Sequence, residues 1–250
     1  MLLELPAASI GGVLTALPKA GKADGALLPP VEPMHEVWAC GVTYMRSREA
    51  REAESTVRDV YSRVYDAERP ELFFKSIGAR AVGHTMPIRV REDSKWNVPE
   101  PELTLVINAK REIVGYTVGN DVSSRDIEGE NPLYLPQAKV YDGACAVGPG
   151  IVLTSPASLK DLEIKLSLAR DGKTVFEGQT RTSTMKRTIE ELAEYATRES
   201  DFSRGLFLMT GTGVVPPMEF SMQRGDTVRI TIGQLTLENQ VAREPHVPRI

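Results

Sequence analysis

VPEPELTLVINAKREIVGYTVGNDV, residues 98–122, is the stretch whose reading decides the fold. Within it LTLVIN (103–108) and IVGYTV (113–118) are rich in β-branched residues and change character with a period of two, which is the mark of strands. Ala109-Lys110-Arg111-Glu112 joins them. If Ala109 faces Glu112 across that turn, antiparallel pairing carried outward sets Glu100 opposite Asp121. Glu102 lies two residues from Glu100 and so leaves the same face of its strand. One hairpin thereby gathers Glu100, Glu102 and Asp121 at its open end. Like charges so close repel, and three arrangements tolerate them: a bound divalent cation, shared protons, or a frayed strand end screened by water. A donor set of oxygens alone favours a hard cation, Mg²⁺ first and Mn²⁺ or Ca²⁺ after it. Three protein carboxylates also leave coordination positions for water and a chelating substrate.

Outward from this hairpin the chain repeats the pattern. LEIKLSLA (162–169) and KTVFEGQT (173–180) flank Asp171-Gly172, a pair suited to a tight hairpin turn. TVRITI (227–232) and LTLENQVA (235–242) flank Gly233-Gln234. Helical periodicity is confined to a few places. Between Met45 and Pro70 the residues Ala50, Ala53, Val57, Val60, Tyr61, Val64 and Tyr65 recur at spacings of three and four, predicting one amphipathic helix capped by Ser47 and ended by Pro70. A second helix is predicted over 188–199, with Ile189, Leu192, Ala193 and Ala196 on one face. Strands dominate without regular βαβ alternation, so the fold class expected is α+β with a mixed, curled sheet. Residues 1–36, rich in Gly, Pro and Ala, read as a small N-terminal arm, and 37–250 as the main domain.

Composition narrows the function. Thirty basic against thirty-four acidic side chains in 250 residues leave a net charge of −4, and aromatics are 6%. Neither a cationic footprint nor a set of stacking platforms for nucleic acid is present. Cys40 and Cys145 share no metal-binding spacing and read as buried reduced thiols, as in a cytoplasm. MLLELPAAS has no basic n-region and no apolar run of membrane-spanning length follows, so neither a signal peptide nor a membrane segment is expected.

WACGVTY (38–44), PELFFKS (70–76), VPEPELTLVI (98–107), GYTVGNDVSSRDIE (115–128), KVYDGACAVGP (139–149) and TGTG (210–213) resemble, in order, the motifs of the fumarylacetoacetate hydrolase superfamily. The resemblance implies a mixed β-sandwich roll, a homodimer, and Mg²⁺ on a Glu-x-Glu pair and a later Asp. Those positions are Glu100, Glu102 and Asp121, which the hairpin register reaches on its own. It also places Lys139 in the substrate site. Arg125 is a candidate clamp for a substrate carboxylate, and Thr212 lies where bare backbone can approach a ligand.

The departures from the family pattern matter as much. Hydrolytic members carry a His-x-x-Glu pair that activates water, and those positions here hold Ser47 and Ala50. His35, His84 and His246 lie elsewhere and read as surface or structural. Glu128 stands where many relatives have Gln, and GENPLYLPQAK (129–139) is an insert-like approach to Lys139. An acid gained and a water-activating pair lost point to proton abstraction and elimination. The features are similar to the sugar-acid dehydratase branch of that family. The expected reaction is metal-dependent dehydration of a 2-keto-3-deoxy sugar acid, such as 2-keto-3-deoxy-D-arabinonate to 2-oxoglutarate semialdehyde. Glu128 and Lys139 would be its base and acid, in an order the sequence leaves open. Glu49 or Glu52 would join if the helix that carries them closes as a lid. The alternative is a C–C bond hydrolase or decarboxylase of acylpyruvate-like diketo acids, with Glu49 as a replacement water activator. A metal-stabilised binding module without catalysis is the third reading.

Overall fold

The structure is a computed structural model that describes residues 2–18, 21, 25–54 and 58–244. Strands β1 (Glu36–Gly41), β2 (Glu71–Ile77), β3 (Asn97–Val98), β4 (Pro101–Ile107), β5 (Ile113–Asp121), β6 (Ser123–Ser124) and β7 (Cys145–Leu153) come first. They are followed by β8 (Glu163–Arg170), β9 (Lys173–Arg181), β10 (Leu206–Met209), β11 (Thr227–Ile232) and β12 (Leu235–Gln240). The helices are short: α1 (Ala7–Ala16), α2 (Met45–Glu54), α3 (Arg58–Asp66), α4 (Arg125–Glu130), α5 (Leu135–Lys139) and α6 (Ile189–Thr197). Six strands form one sheet in the order β2-β1-β10-β4-β5-β7, and four form a second in the order β12-β11-β8-β9. The pairing of β1 with β10 is parallel and the other ladders of these sheets are antiparallel, so the expected mixed, strand-rich α+β architecture is what the chain adopts.

The core sits between the two sheets. Leu103, Leu105 and Ile107 leave one face of β4 and pack with Leu166, Val228 and Leu237 of the second sheet. The opposite face of β4 carries Glu102, Thr104 and Val106, and Val106 joins a second apolar cluster with Val37, Phe207, Leu3 and Ile10. Both faces of β4 are therefore covered, and all seven of its residues are buried. That is why its apolar residues run on instead of alternating cleanly.

The register of the central hairpin holds, through two departures that cancel. Its turn is not Ala109 facing Glu112: the Asn108 N–H donates to the Glu112 carbonyl. Ile107 then pairs with Ile113 and Val106 with Gly115, which leaves Val114 as a bulge. Beyond the bulge Pro101 pairs with Asn120, and the Asp121 N–H donates to the Glu100 carbonyl at 3.0 Å. The Asp171-Gly172 turn has both residues at positive φ (49° and 75°), the conformation that matches the twist of a two-residue hairpin.

The helix expected over Met45–Pro70 is two helices, α2 and α3. They differ in phase: Ser47, Ala50 and Arg51 turn inward from α2, and Tyr61 and Tyr65 from α3. Ala53 and Val60 are consequently exposed, and Val57 lies outside the described residues. Ser47 is not a cap. It lies inside the first turn, and its hydroxyl donates to the Tyr44 carbonyl at 2.8 Å. The helix over 188–199 forms as α6, with the Thr188 hydroxyl accepting from the Glu191 N–H at 3.1 Å.

Gly115 has no room for a side chain. A Cβ there would lie 2.1 Å from the backbone carbonyl oxygen of Val152, on the strand that pairs with β5. Backbone cannot rotate away as a side chain can, so Gly115→Ala is expected to cost about 1–3 kcal/mol. Urea unfolding monitored by circular dichroism checks this, with a lowered midpoint at unchanged slope as the expected outcome.

Candidate functional site

Glu100, Glu102 and Asp121 are all buried, and each offers an oxygen within 4.8 Å of those of the other two. The hairpin pairs the first with the last, and the strand period adds Glu102. Each carboxylate has a different electrostatic surrounding. Burial opposes ionisation of Glu100, but Lys139, Arg125 and Arg51 outweigh it and hold its carboxyl well below the usual range. At Glu102 Lys139 acts in the same sense but is outweighed. Burial, with Asp121 and Glu100 beside it, pushes its carboxyl well up. Glu102 Oε2 accepts from the Gly211 N–H at 2.6 Å, while Oε1 is buried without a hydrogen-bond partner among the described residues. That contact depends on Gly211, which has φ +91° and whose Cβ would lie 2.0 Å from Thr43 Oγ1. This is the reason for a glycine within Thr210–Gly213.

Lys139 ends α5. The segment leading to it is ordered by Asn131, whose side chain accepts from the Leu133 N–H at 2.9 Å, and the turn and short helix that follow direct the lysine inward. Its ammonium donates to Glu100 Oε2 at 2.9 Å, Asp121 Oδ2 at 2.8 Å and Ser123 Oγ at 2.5 Å. Burial works against this charge, yet Asp121, Glu100 and Glu128 outweigh it and hold the ammonium above its ordinary value. A lowered value, expected of a lysine beside a cation, is not what the carboxylates alone produce. Lys139 is also far from being an exposed lysine at a loop end, since it is 1% exposed.

Arg125 opens α4. One guanidinium nitrogen pairs with Glu54 at 2.5 Å and another with Glu100 at 2.8 Å, while Nε is buried without a hydrogen-bond partner among the described residues. Asp126 is not its partner: that carboxylate accepts from Ser94 Oγ and the Lys95 N–H. Glu128, one turn along α4, is buried against Arg51, and burial is outweighed by Arg51 and Lys139 so that its carboxyl stays below its usual range. Thr212 is buried and lines the same small pocket, with its hydroxyl donating to the Val214 carbonyl at 3.1 Å.

Arg51, Glu54 and Lys75 belong to this cluster and escape a reading of the sequence. Arg51 reaches Glu100 Oε1 at 3.3 Å as well as Glu128. Lys75 pairs with Asp121 Oδ1 at 2.6 Å and donates to the carbonyls of Val122 and Lys139. A lysine within the strand pattern of PELFFKS was a signal for it. Arg51 and Glu54 were marked by their helical phase with Ser47 and Ala50. Glu49 and Glu52 point elsewhere, pairing with Arg46 and Arg48 of their own helix. His35 is buried against the Arg204 carbonyl, and His84 accepts from the Glu238 N–H; neither lines the pocket, and His246 lies outside the described residues.

The donor set fits a hard divalent cation. It is composed of oxygen, it is buried, and one of its oxygens, Glu102 Oε1, has no hydrogen-bond donor among the described residues. A cation there would add to Lys139 the positive charge needed to offset the burial of Glu102.

The profile of the fumarylacetoacetate hydrolase C-terminal domain matches residues 36–242. A probable 2-keto-3-deoxyxylonate dehydratase of Haloferax volcanii is 52% identical over 210 residues, covering 82% of this chain and 72% of that protein. A 2-dehydro-3-deoxy-D-arabinonate dehydratase of Saccharolobus solfataricus is 43% identical over 220 residues, covering 85% and 72%. Among solved structures, a 2-keto-3-deoxy-D-arabinonate dehydratase complexed with magnesium and 2,5-dioxopentanoate superposes with a TM-score of 0.76 at 43% identity, over 86% of this chain and 73% of that one. The profile match over most of the chain and the shared fold lead to one conclusion: this chain belongs to the fumarylacetoacetate hydrolase family.

Proposed function

We propose that this protein is a metal-dependent dehydratase of a 2-keto-3-deoxy sugar acid, converting 2-keto-3-deoxy-D-arabinonate or a close relative to 2,5-dioxopentanoate. The observation that carries the reading is the convergence of the acidic trio, Lys139 and Glu128 on one buried pocket, while the positions of the family's water-activating pair hold Ser47 and Ala50. Ser47 spends its hydroxyl on the Tyr44 carbonyl, and Ala50 has no acid or base to offer. Identity with the two dehydratases named above supports the same reading.

Glu100, Glu102 and Asp121 would hold Mg²⁺, and when bound the ion supplies a Lewis acid for the carboxylate and keto oxygens of the substrate. The protein's own groups do the rest. Glu128, kept ionised, takes a C3 proton, made acidic by the adjacent keto group. Lys139, an ammonium held against Glu100, Asp121 and Ser123, places a fixed positive charge beside the oxygen on which negative charge develops. Loss of the C4 hydroxyl gives an unsaturated keto acid. Transfer of a C5 proton back to C3 and tautomerisation then give the aldehyde. Arg125 holds Glu100 and α2 in register, and its unpartnered Nε is the donor left for a substrate carboxylate. The buried free thiols Cys40 and Cys145 support a reducing, cytoplasmic setting, and among the described residues no helix is long and apolar enough to cross a membrane. A homodimer or higher homo-oligomer is proposed on the family resemblance, and residues 1–36 as an appended arm on their Gly-, Pro- and Ala-rich composition.

Protein stripped with EDTA is expected to be inactive on 2-keto-3-deoxy-D-arabinonate and to regain activity with Mg²⁺, read as 2,5-dioxopentanoate through a coupled semialdehyde dehydrogenase. Cleavage of acetylpyruvate without dehydration would sink the proposal. Glu128→Gln and Lys139→Met are each expected to lower kcat by about a hundredfold or more. Mg²⁺ is expected to raise the thermal midpoint of the wild-type protein, because a ligand that binds the folded state stabilises it. In Glu102→Gln that rise is expected to vanish, a result differential scanning fluorimetry reads without any activity.

A further inference from the structure

β2 carries a buried lysine that lies outside the pocket lining. Glu71 and Phe73 of this strand line the pocket, whereas Lys75, two residues further along, does not. The β1–β2 ladder pairs Trp38 with Phe74 and Val37 with Ser76, which leaves Lys75 as a bulge. A bulge of this kind re-aims a side chain. The Lys75 side chain is 0% exposed, and a buried ammonium is tolerated only where acceptors replace the water it has lost. An ammonium has three N–H donors and no acceptor. Lys75 meets as many acceptors: Asp121 Oδ1 at 2.6 Å, the Val122 carbonyl at 3.0 Å and the Lys139 carbonyl at 2.6 Å. Its donors are used up, so it has no proton to offer a substrate.

These acceptors belong to two segments. Asp121 ends β5 and Val122 follows it, while the Lys139 carbonyl ends α5, a helix of five residues. So short a helix holds its shape poorly by itself, and its last carbonyls have no partners within it. Lys75 supplies one to Lys139. The other end of Lys139 is tied through the same group: its ammonium donates to Asp121 Oδ2 at 2.8 Å, and Lys75 holds Asp121 Oδ1. The Lys139 main chain, Lys75, Asp121 and the Lys139 ammonium thus close a ring, and a flexible stem is fixed at both ends from one point. We propose that Lys75 is a positioning residue that acts through Lys139 and sets where that ammonium stands in the pocket, an inference whose kinetic consequence rests on the dehydratase reading. A fixed charge stabilises a transition state only while it stays aimed at the atom where charge develops, and a displacement of about 1 Å costs about a hundredfold in rate.

The test uses the full chain carrying Lys75→Met, which keeps the apolar stem and removes the ammonium. Lys75→Gln, which retains a polar donor, is read in the same way and takes its place if the first variant does not fold. Circular dichroism and thermal midpoints establish folding. Amide deuterium exchange is followed by mass spectrometry without Mg²⁺ or substrate. Residues 135–142 are expected to exchange about tenfold faster than in the wild-type protein, and the second sheet at the wild-type rate. With saturating Mg²⁺ and 2-keto-3-deoxy-D-arabinonate, kcat is expected to fall by about tenfold or more while KM stays within about threefold. A folded variant with wild-type kcat would overturn the assignment, as would wild-type exchange over 135–142. Exchange that quickens equally in both sheets is the mark of a merely structural lysine and would overturn it too. A wild-type protein that forms no aldehyde would instead overturn the dehydratase reading and the kinetic role with it, an outcome that the wild-type control alone reveals.

Discussion

Three carboxylates buried on one face of a hairpin cannot stand alone, and the surrounding structure answers their charge. Removing a carboxylate from water is costly unless opposite charge or hydrogen bonds replace the solvent. Glu100 meets this demand with Lys139, Arg125 and Arg51, and Asp121 with Lys75 and Lys139. Glu102 is met less fully, with one backbone donor on one oxygen and, among the described residues, none on the other. Glu102 is thus the least compensated carboxyl of the trio, and its unpartnered oxygen is where a divalent cation fits.

The same demand explains elements that otherwise look arbitrary. α2 is a polar helix with little apolar surface, and it is held by Arg51 and Glu54 on the site and not by a greasy stripe. The segment between α4 and Lys139 is composed of short turns because its task is to bring one ammonium through the wall beside Ser123. Glycines at 41 and 211 clear space for the Glu71 carboxyl and for the loop against Thr43. Polar groups fix the geometry here because each has few places where it is satisfied.

Side-chain period and turn chemistry made the hairpin, its register and its acidic end legible in residues 98–122. That success has a physical ground: one face of β4 is core, so a slip of one residue would bury Glu102 among leucines. The turn itself was misread, since a bulge at Val114 adds the residue that the real turn removes. Lys139, Glu128, Arg125 and Thr212 were legible through family motifs, and all converge on the pocket. What escaped reading is long-range. Arg51 and Lys75 are charged residues in ordinary-looking segments, and their roles depend on how α2 and β2 pack against a hairpin far along the chain. The break between α2 and α3 escaped for a related reason: apolar residues of two helices with different phases look like one periodic run.

The parallel seam between β1 and β10 bears on the order in which the molecule comes together. In the six-stranded sheet β10 lies between β1 and β4, so it is the strip that joins the β1–β2 half to the β4–β5–β7 half. Lys75 and Glu71 belong to the first half, and Glu100, Glu102 and Asp121 to the second. Until residues 206–209 have left the ribosome the two halves have no common ladder, and contacts so distant in sequence form slowly because a long loop must close first. During synthesis the acids of the hairpin therefore have Arg125 and Lys139 of their own half within reach before Lys75 and Glu71 are brought to them, and the central sheet closes only as β10 slides into place.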